Sequence, residues 1–420
     1  MSLAPPRQTD PLPWCWAIAL AFGALAAWHL GTPGKIYFDE VHYVPAARRL
    51  LQGLPANPEH PLLAKEAIAA AIALLGDRPA VWRLPSLLCG TLGLFAFGRA
   101  LWWASGRRFA TLAGMVLLAS DFAWFVQARV AMLDMVMAGL AMVAVWQAAV
   151  LLAGGPVWRQ RLACALVGLC LALALAAKWS VLPVAGLVVG GLLGWRGWAE
   201  LRGARQRPAP GLRLAEMALW LVSLPLAVYW ASFIPAFEYR EMAVNPFGMV
   251  AWHRYMVDLQ ASVVKHHPYQ SQWWQWVIDW RPIWYLYEPV DGAQRGILLL
   301  GNPLTMLIGL PALGWAALAG THAARGGAAL YAASLGLWVV AHKPVQFYYH
   351  YLLPGSFLMA VLALALDALW AGRGGARWAA LAVPVASLAL MGWFYPIIAA
   401  APLAGGQMAF EHWMWLDSWR

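Results

Sequence analysis

The sequence has 420 residues, 62% of them hydrophobic and only 11% charged, with a mean hydropathy of +0.60. A soluble domain is about a quarter charged, so this composition excludes a soluble fold and assigns the length to membrane spans of about twenty residues each. The formal charge of +10 would suit nucleic acid, but the basic residues fall in alternate loops between apolar runs, and nucleic-acid binding is set aside.

Continuous apolar runs bounded by charge, Gly and Pro mark the expected spans in chain order. The first covers 13–30, and a long polar stretch, 31–83, follows it. Further spans are expected at 84–103, 109–126 and 135–152. The run 162–195 is long enough for two short helices broken near Lys178-Trp179-Ser180 and Pro183, and 214–234 follows. After a second polar stretch, 235–295, come runs at 297–319, 328–341, 351–370 and 378–402. The expectation is an all-α polytopic membrane protein with about eleven transmembrane helices, forming one unit over 1–420 with two long outer loops. No cleavage site follows the first run convincingly, so it is expected to stay as an anchor. Cys15, Cys89, Cys164 and Cys170 all lie in apolar runs, where neither a disulfide framework nor a metal knuckle is supported.

Arg107, Arg108, Arg159, Arg161, Arg196, Arg202, Arg205, Arg207, Arg213, Arg325, Arg373 and Arg377 fall in alternate loops, which marks those loops and the amino terminus as cytoplasmic. Both long loops and the carboxyl terminus then lie on the outer face, with most of the carboxylates and histidines. Within the first outer loop, 62–75 is apolar but too short to span, and reads as a helix on the outer leaflet with Pro61 near its start. Arg48 to Gln52 reads as part of a similar short helix, with Pro45 near its beginning. The Trp- and Tyr-rich second loop reads first as an interfacial belt.

The most concentrated chemistry is Phe38-Asp39-Glu40-Val41-His42-Tyr43. Asp39 either caps a helix entering near Tyr43 or, on an outward loop beside the membrane, serves as a general base for a hydroxyl, with Glu40 positioning a substrate. Arg129 and Asp134 open the fourth span as an ion pair, or Arg129 grips a phosphate with its planar fork. Lys65 and Lys178 add positive charge, although Lys178 could equally snorkel to the headgroups. His60, His267 and His350 lack ligand spacing, so they read as hydrogen-bonding or substrate-facing residues. No obligatory metal is expected; a divalent cation is left open. A Gly-rich phosphate loop is absent, which argues against nucleotide-linked substrates.

Taken together, several pieces resemble the protein O-mannosyltransferase family, in its compact bacterial form. They are the Asp39-Glu40 pair after the first span, His60-Pro-Leu-Leu-Ala-Lys65, and Ala128-Arg129 through Leu133-Asp134. Ala177-Lys178-Trp179, His267 to Trp276, Arg281-Pro-Ile-Trp284, Gly301-Asn302-Pro303 and Tyr348-Tyr-His350-Tyr351 continue the match in family order. The resemblance implies a GT-C membrane fold and transfer of mannose from a polyprenyl-phosphate carrier to Ser/Thr hydroxyls of exported proteins, at the periplasmic face of a bacterial inner membrane. It implies Asp39 as the base. It also adds Arg281 and Asn302 to the candidate site. Two departures stand out: the second outer loop has no room for the β-trefoil (MIR) domain of eukaryotic members, and the His60–Lys65 motif lacks the usual second Pro and Gly. Beside a purely structural interaction protein, which would leave the carboxylate, Arg and Lys arrangement without a purpose, two alternatives remain at this stage. One is a same-fold transferase that glycosylates lipid A or another glycan; the other is a lipid-linked sugar flippase. Oligomeric state is not read from the sequence.

Overall fold

The computed structural model describes residues 8–204, 208–262, 266–341 and 343–420. Arg205 and Arg207, two of the topogenic arginines, lie outside the described residues. The chain begins with α1 (Leu12–Ala27), then α2 (Glu40–Leu51) and α3 (Leu63–Leu75) in the first long loop. Next come α4 (Pro79–Ser105), α5 (Arg108–Ala119), α6 (Phe122–Gln127), α7 (Leu133–Ala153), α8 (Val157–Ala177) and α9 (Leu182–Leu201). A π turn at Leu219–Ser223 joins α10 (Leu214–Ala218) to α11 (Leu224–Ala231), and α12 (Ile234–Phe237) adds one turn. The second long loop holds α13 (Met249–Ala261), α14 (Trp273–Val277) and the antiparallel strands β1 (Ile283–Val290) and β2 (Ala293–Leu299). The chain closes with α15 (Pro303–Leu318), α16 (His322–Val340), α17 (Leu352–Trp370) and α18 (Gly375–Ile398), followed by two short 3-10 turns.

Among the described residues, eight helices are long and apolar enough to cross a membrane, and three more apolar helices, α1, α5 and α15, are shorter. For α5 and α15 the cause is local. Asp121 accepts the N–H of Trp124 at 2.9 Å and caps α6, so the expected span 109–126 breaks at Ser120-Asp121. The start of the expected span 297–319 is taken by β2, and the helix begins only at Pro303. The break expected at Lys178-Trp179-Ser180 is present, as a 3-10 turn between α8 and α9. The short helix expected around Arg48 starts earlier, at Glu40, so Pro45 lies inside it.

The all-α expectation needs one correction, the β1–β2 hairpin. Its two-residue turn, Asp291-Gly292, has both φ angles positive (49° and 74°), the turn that suits the twist of paired strands. The hairpin grips the first long loop: Gly34 donates to the Asp291 carboxylate at 2.8 Å, and Lys35 pairs with Glu288 at 2.7 Å. The carboxyl-terminal tail packs against the same hairpin, with Leu403 donating to the Gln294 carbonyl and Trp284 donating to the Trp419 carbonyl.

The helices α4, α7 and α17 are the most enclosed; α9 and the α10–α11 rod present most of their surface outward, as lipid-facing helices do. Gly139 lets α7 touch α4, because a Cβ there would stand 2.3 Å from the Cys89 carbonyl oxygen. At one end of the bundle, Arg99 pairs with Asp10 and Arg107 with Asp367. Arg83, on the same helix as Arg99, lies on the order of 24 Å away at about 1.5 Å per residue, and it belongs to the opposite end.

Candidate active site

The loop from Tyr37 to Glu40 is held by three of its four side chains. Tyr37 donates its hydroxyl to the Arg129 carbonyl at 3.4 Å and lies under the Arg83 guanidinium, 4.8 Å from ring to cation. Phe38 has a φ of 48°, a left-handed conformation that a bulky residue keeps only when its surroundings impose it. Its ring stacks on Tyr285 at 3.8 Å. Tyr285 reaches it through a β-bulge: Trp284 pairs with Leu298 and Leu286 with Ile297, leaving Tyr285 as the extra residue, re-aimed towards the loop. Gln127 donates to the Tyr285 hydroxyl at 3.0 Å and fixes it.

Glu40 is fully buried, 0% exposed, and so is its partner Arg83. Arg83 donates to both carboxylate oxygens, at 2.8 and 3.0 Å, and the Ala131 backbone N–H adds a third bond at 3.0 Å. No acceptor capacity is turned towards a substrate, so Glu40 fastens the loop to α4 and to the start of α7. It does not sit where the sequence reading had it, against a donor or acceptor.

Asp39 is the exception in this loop. It occupies the N-cap position of α2, yet its carboxylate caps no backbone N–H and has no hydrogen-bond partner among the described residues. Burial pushes its carboxyl up to about 6, against the pull of Lys178 and His42. Lys178 and Lys343 are therefore close enough to act on it, together with Asp134.

Lys178 ends α8 in an extended conformation and donates to both oxygens of Asp134, each at 2.8 Å. Asp134 sits in the first turn of α7, where the helix dipole favours a carboxylate. The pair is 5% and 2% exposed, and the ammonium also lies 4.9 Å from the Tyr349 ring. An ammonium has three donors, so one remains for a ligand. Lys343 approaches His350 Nε2 at 3.5 Å, and His350 stacks on Trp338 at 3.8 Å. Burial pushes the Lys343 ammonium down to about 8, with Lys178 adding to the effect. Sequence reasoning missed Lys343; the signal was a basic residue at the outer end of an apolar run. Arg83 was missed as well, having been read only as a loop boundary.

The other expected residues are elsewhere. Arg129 directs its guanidinium at the carbonyls of Ala26 (2.5 Å), Trp28 (2.7 Å), His29 and Ala399 (3.4 Å each), capping the orphan carbonyls where α1 and α18 end. Lys65 is fully buried and donates to the carbonyls of Asn57 at 2.5 Å, His60 at 2.7 Å and Ala56 at 3.4 Å, which clips the turn before α3. Burial lowers its ammonium to about 7. Arg281 ties the Pro268 and Ser418 carbonyls together, and Asn302 donates to Ser120 and Ser387 in a buried knot at the start of α15. His267 packs edge-on against Phe347 and accepts the Tyr269 N–H. His60 stays near the site: it lines a cavity of about 260 Å³ with Lys178, Lys343, Leu182, Val257 and Leu337. Burial holds its imidazole well below the usual range, and it is therefore neutral.

A family model described as dolichyl-phosphate-mannose-protein mannosyltransferase matches residues 79–239, and one for the C-terminal four-transmembrane region of protein O-mannosyltransferase matches 248–326. The polyprenol-phosphate-mannose–protein mannosyltransferase of Mycolicibacterium smegmatis is 28% identical over 99% of this chain and 95% of its own length. Its namesake from Corynebacterium glutamicum is 26% identical over 97% and 93%. Among solved structures, the Saccharomyces cerevisiae Pmt1–Pmt2 protein O-mannosyltransferase complex bound to the sugar donor shares the fold. Its TM-score is 0.83 at 14% identity, covering 98% of this chain and 93% of that one. ArnT from Cupriavidus metallidurans, bound to undecaprenyl phosphate, superposes with a TM-score of 0.56 at 15% identity, over 90% of this chain and 70% of its own. With both family models matching in order and relatives matching over nearly their whole length, this multi-pass membrane chain belongs to the protein O-mannosyltransferase family, on the GT-C glycosyltransferase fold.

Proposed function

We propose that the chain transfers mannose from a polyprenyl-phosphate carrier to Ser/Thr hydroxyls of exported proteins, with Asp39 as general base. The observation that carries this reading is the Asp39 carboxylate, without a hydrogen-bond partner among the described residues, within electrostatic reach of Lys178 and Lys343, two ammonium groups that line the cavity of about 260 Å³. The hydroxyl oxygen attacks the anomeric carbon while Asp39 takes its proton. The bond from that carbon to the phosphate oxygen breaks, and its electron pair leaves with the phosphate, whose growing charge Lys178 and Lys343 offset. Displacement on one face inverts the anomeric centre. Asp134 holds Lys178 in place, and the apolar wall of Leu182, Val257 and Leu337 suits the carrier's hydrocarbon. Arg129 has no part in this step, because its guanidinium is occupied by helix carbonyls.

The step runs on these side chains with no metal, at the periplasmic face of a bacterial inner membrane, with the amino terminus cytoplasmic. An assay of purified protein in detergent with defined polyprenyl-phosphate mannose and a Ser/Thr peptide tests it. Mannosylated peptide is expected, with a rate that EDTA leaves in place. No product from folded protein would remove the reading, and a rate abolished by EDTA would remove its metal-free form.

A further inference from the structure

Two cavities meet at Lys343, and they differ in kind. The first is the apolar one just described. The second is an open groove of about 500 Å³ that shares Trp338, Ala341 and Lys343 with it and leaves in another direction, along α14. Its lining includes Gln270, Gln272, Gln275 and Gln346 and contains no carboxylate. The glutamines are held in a particular way. Gln270 accepts the His267 N–H through Oε1, and Gln275 accepts the Gln272 N–H through Oε1 at 2.8 Å, within a reciprocal capping arrangement at the start of α14. Gln272 takes the Trp274 indole N–H through its own Oε1. In all three the oxygen serves the fold, and the amide nitrogen has no partner among the described residues. The groove therefore offers a row of neutral N–H donors with fixed orientation in the same lining as Lys343.

From this we infer that the Gln270–Gln275 groove binds the acceptor as an extended, uncharged polypeptide segment, whose backbone carbonyls take the free glutamine amides, and delivers its hydroxyl past Lys343 to Asp39. Every residue of such a segment carries a carbonyl acceptor, so donors that read only carbonyls tolerate many sequences. A carrier lipid does not suit this groove, since its chain needs the apolar wall on the other side of Trp338. A basic segment does not suit it either, because no lining carboxylate answers a positive side chain. The inference rests on the transferase reading above and adds how the protein acceptor is held.

Glutamate in place of Gln270 and Gln275 keeps each Oε1 acceptor, and with it the local fold, while it removes the N–H donor and adds negative charge. The Gln270→Glu/Gln275→Glu protein is assayed against a neutral Ser peptide and against the same peptide with Lys two residues from the Ser. We expect KM for the neutral peptide to rise about tenfold, KM for polyprenyl-phosphate mannose to stay within about twofold, and the Lys peptide to become the better substrate. An unchanged peptide KM, or a rise confined to the donor KM, overturns the inference. If the unsubstituted protein mannosylates neither peptide, it is the transferase reading that falls. Photocrosslinking of the unsubstituted protein with a benzophenone-bearing Ser peptide gives a second measure. Adducts within 270–275 support the groove, and adducts found only elsewhere overturn it.

Discussion

Asp39 and Glu40 are neighbours in sequence with opposite fates, and the difference lies in what each side chain meets. Glu40 meets a fully buried guanidinium and is satisfied; Asp39 meets no donor, and burial pushes it up to about 6. Replacing Asp39 by Asn removes a base without removing a fold contact. The expected result is a transfer rate lowered by about 10²–10⁴-fold at a Tm equal to or above the parent's near pH 7. The sign follows from the raised pKa: the folded state prefers the protonated carboxyl, so this group's contribution to stability is complete below its ordinary value and is lost as pH rises through about 6. Activity runs the other way, because the base must be ionised. The rate should climb through about pH 6 and fall again near pH 8 as the Lys343 ammonium deprotonates. A profile flat from pH 5 to 9, on about that scale, would contradict both assignments. The sequence made Asp39 legible because two carboxylates in an outer loop are conspicuous. Arg129 and Lys65 misled for a physical reason. A buried cation that caps helix carbonyls looks, in sequence, the same as one that awaits a phosphate.

Elements hold the site through two contacts that a sequence does not display. The first is the Glu40–Arg83 pair joining α2 to α4. Removing one partner strands a buried charge, so Glu40→Ala should cost about 3–5 kcal/mol, and Arg83→Ala a similar amount. Activity should be lost in step with the folded fraction measured by thermal unfolding in detergent; a Glu40→Ala protein with parental Tm and no activity would return Glu40 to a direct role. The second is the close approach of α4 and α7. Ala is the better helix former by about 1 kcal/mol, so Gly186→Ala, with open space around it, should be neutral or stabilising. Gly139→Ala must displace the Cys89 carbonyl and should lose about 1–3 kcal/mol. If both behave alike in thermal unfolding, the close contact is not present in solution. The spans were readable from apolar runs, and the break at Lys178 from its charge and Pro183. The β1–β2 hairpin was not read, since Ile283–Leu286 is buried throughout and shows no alternation, although Asp291-Gly292 was a usable turn signal. With the hairpin went the bulge that aims Tyr285 at Phe38.

At the scale of the whole molecule the proposal depends on polarity across the bilayer. The end that holds Asp10–Arg99 and Arg107–Asp367 is separated by most of the length of α4 from the end that holds Arg83, Glu40 and Asp39. A carrier lipid in one leaflet can present its sugar at only one of these. In the orientation proposed above, the basic loops lie in the cytoplasm with the first end, and Asp39, the hairpin and the tail lie on the other side. The protein's own cysteines make this measurable. All four are free, three are buried and Cys89 is only partly accessible, so background thiol labelling should be low. Phe247, 98% exposed in the second long loop, and Arg373, exposed between α17 and α18, are suitable reporters. In intact cells whose outer barrier has been opened, a charged maleimide should label Phe247→Cys at once and Arg373→Cys only after the inner membrane is lysed. Labelling in the reverse order would turn the molecule over and put Asp39 where no exported protein passes. Labelling of both from outside would mean that the two ends do not lie across a membrane from one another, and carrier and acceptor would have no bilayer between them and the cytoplasm.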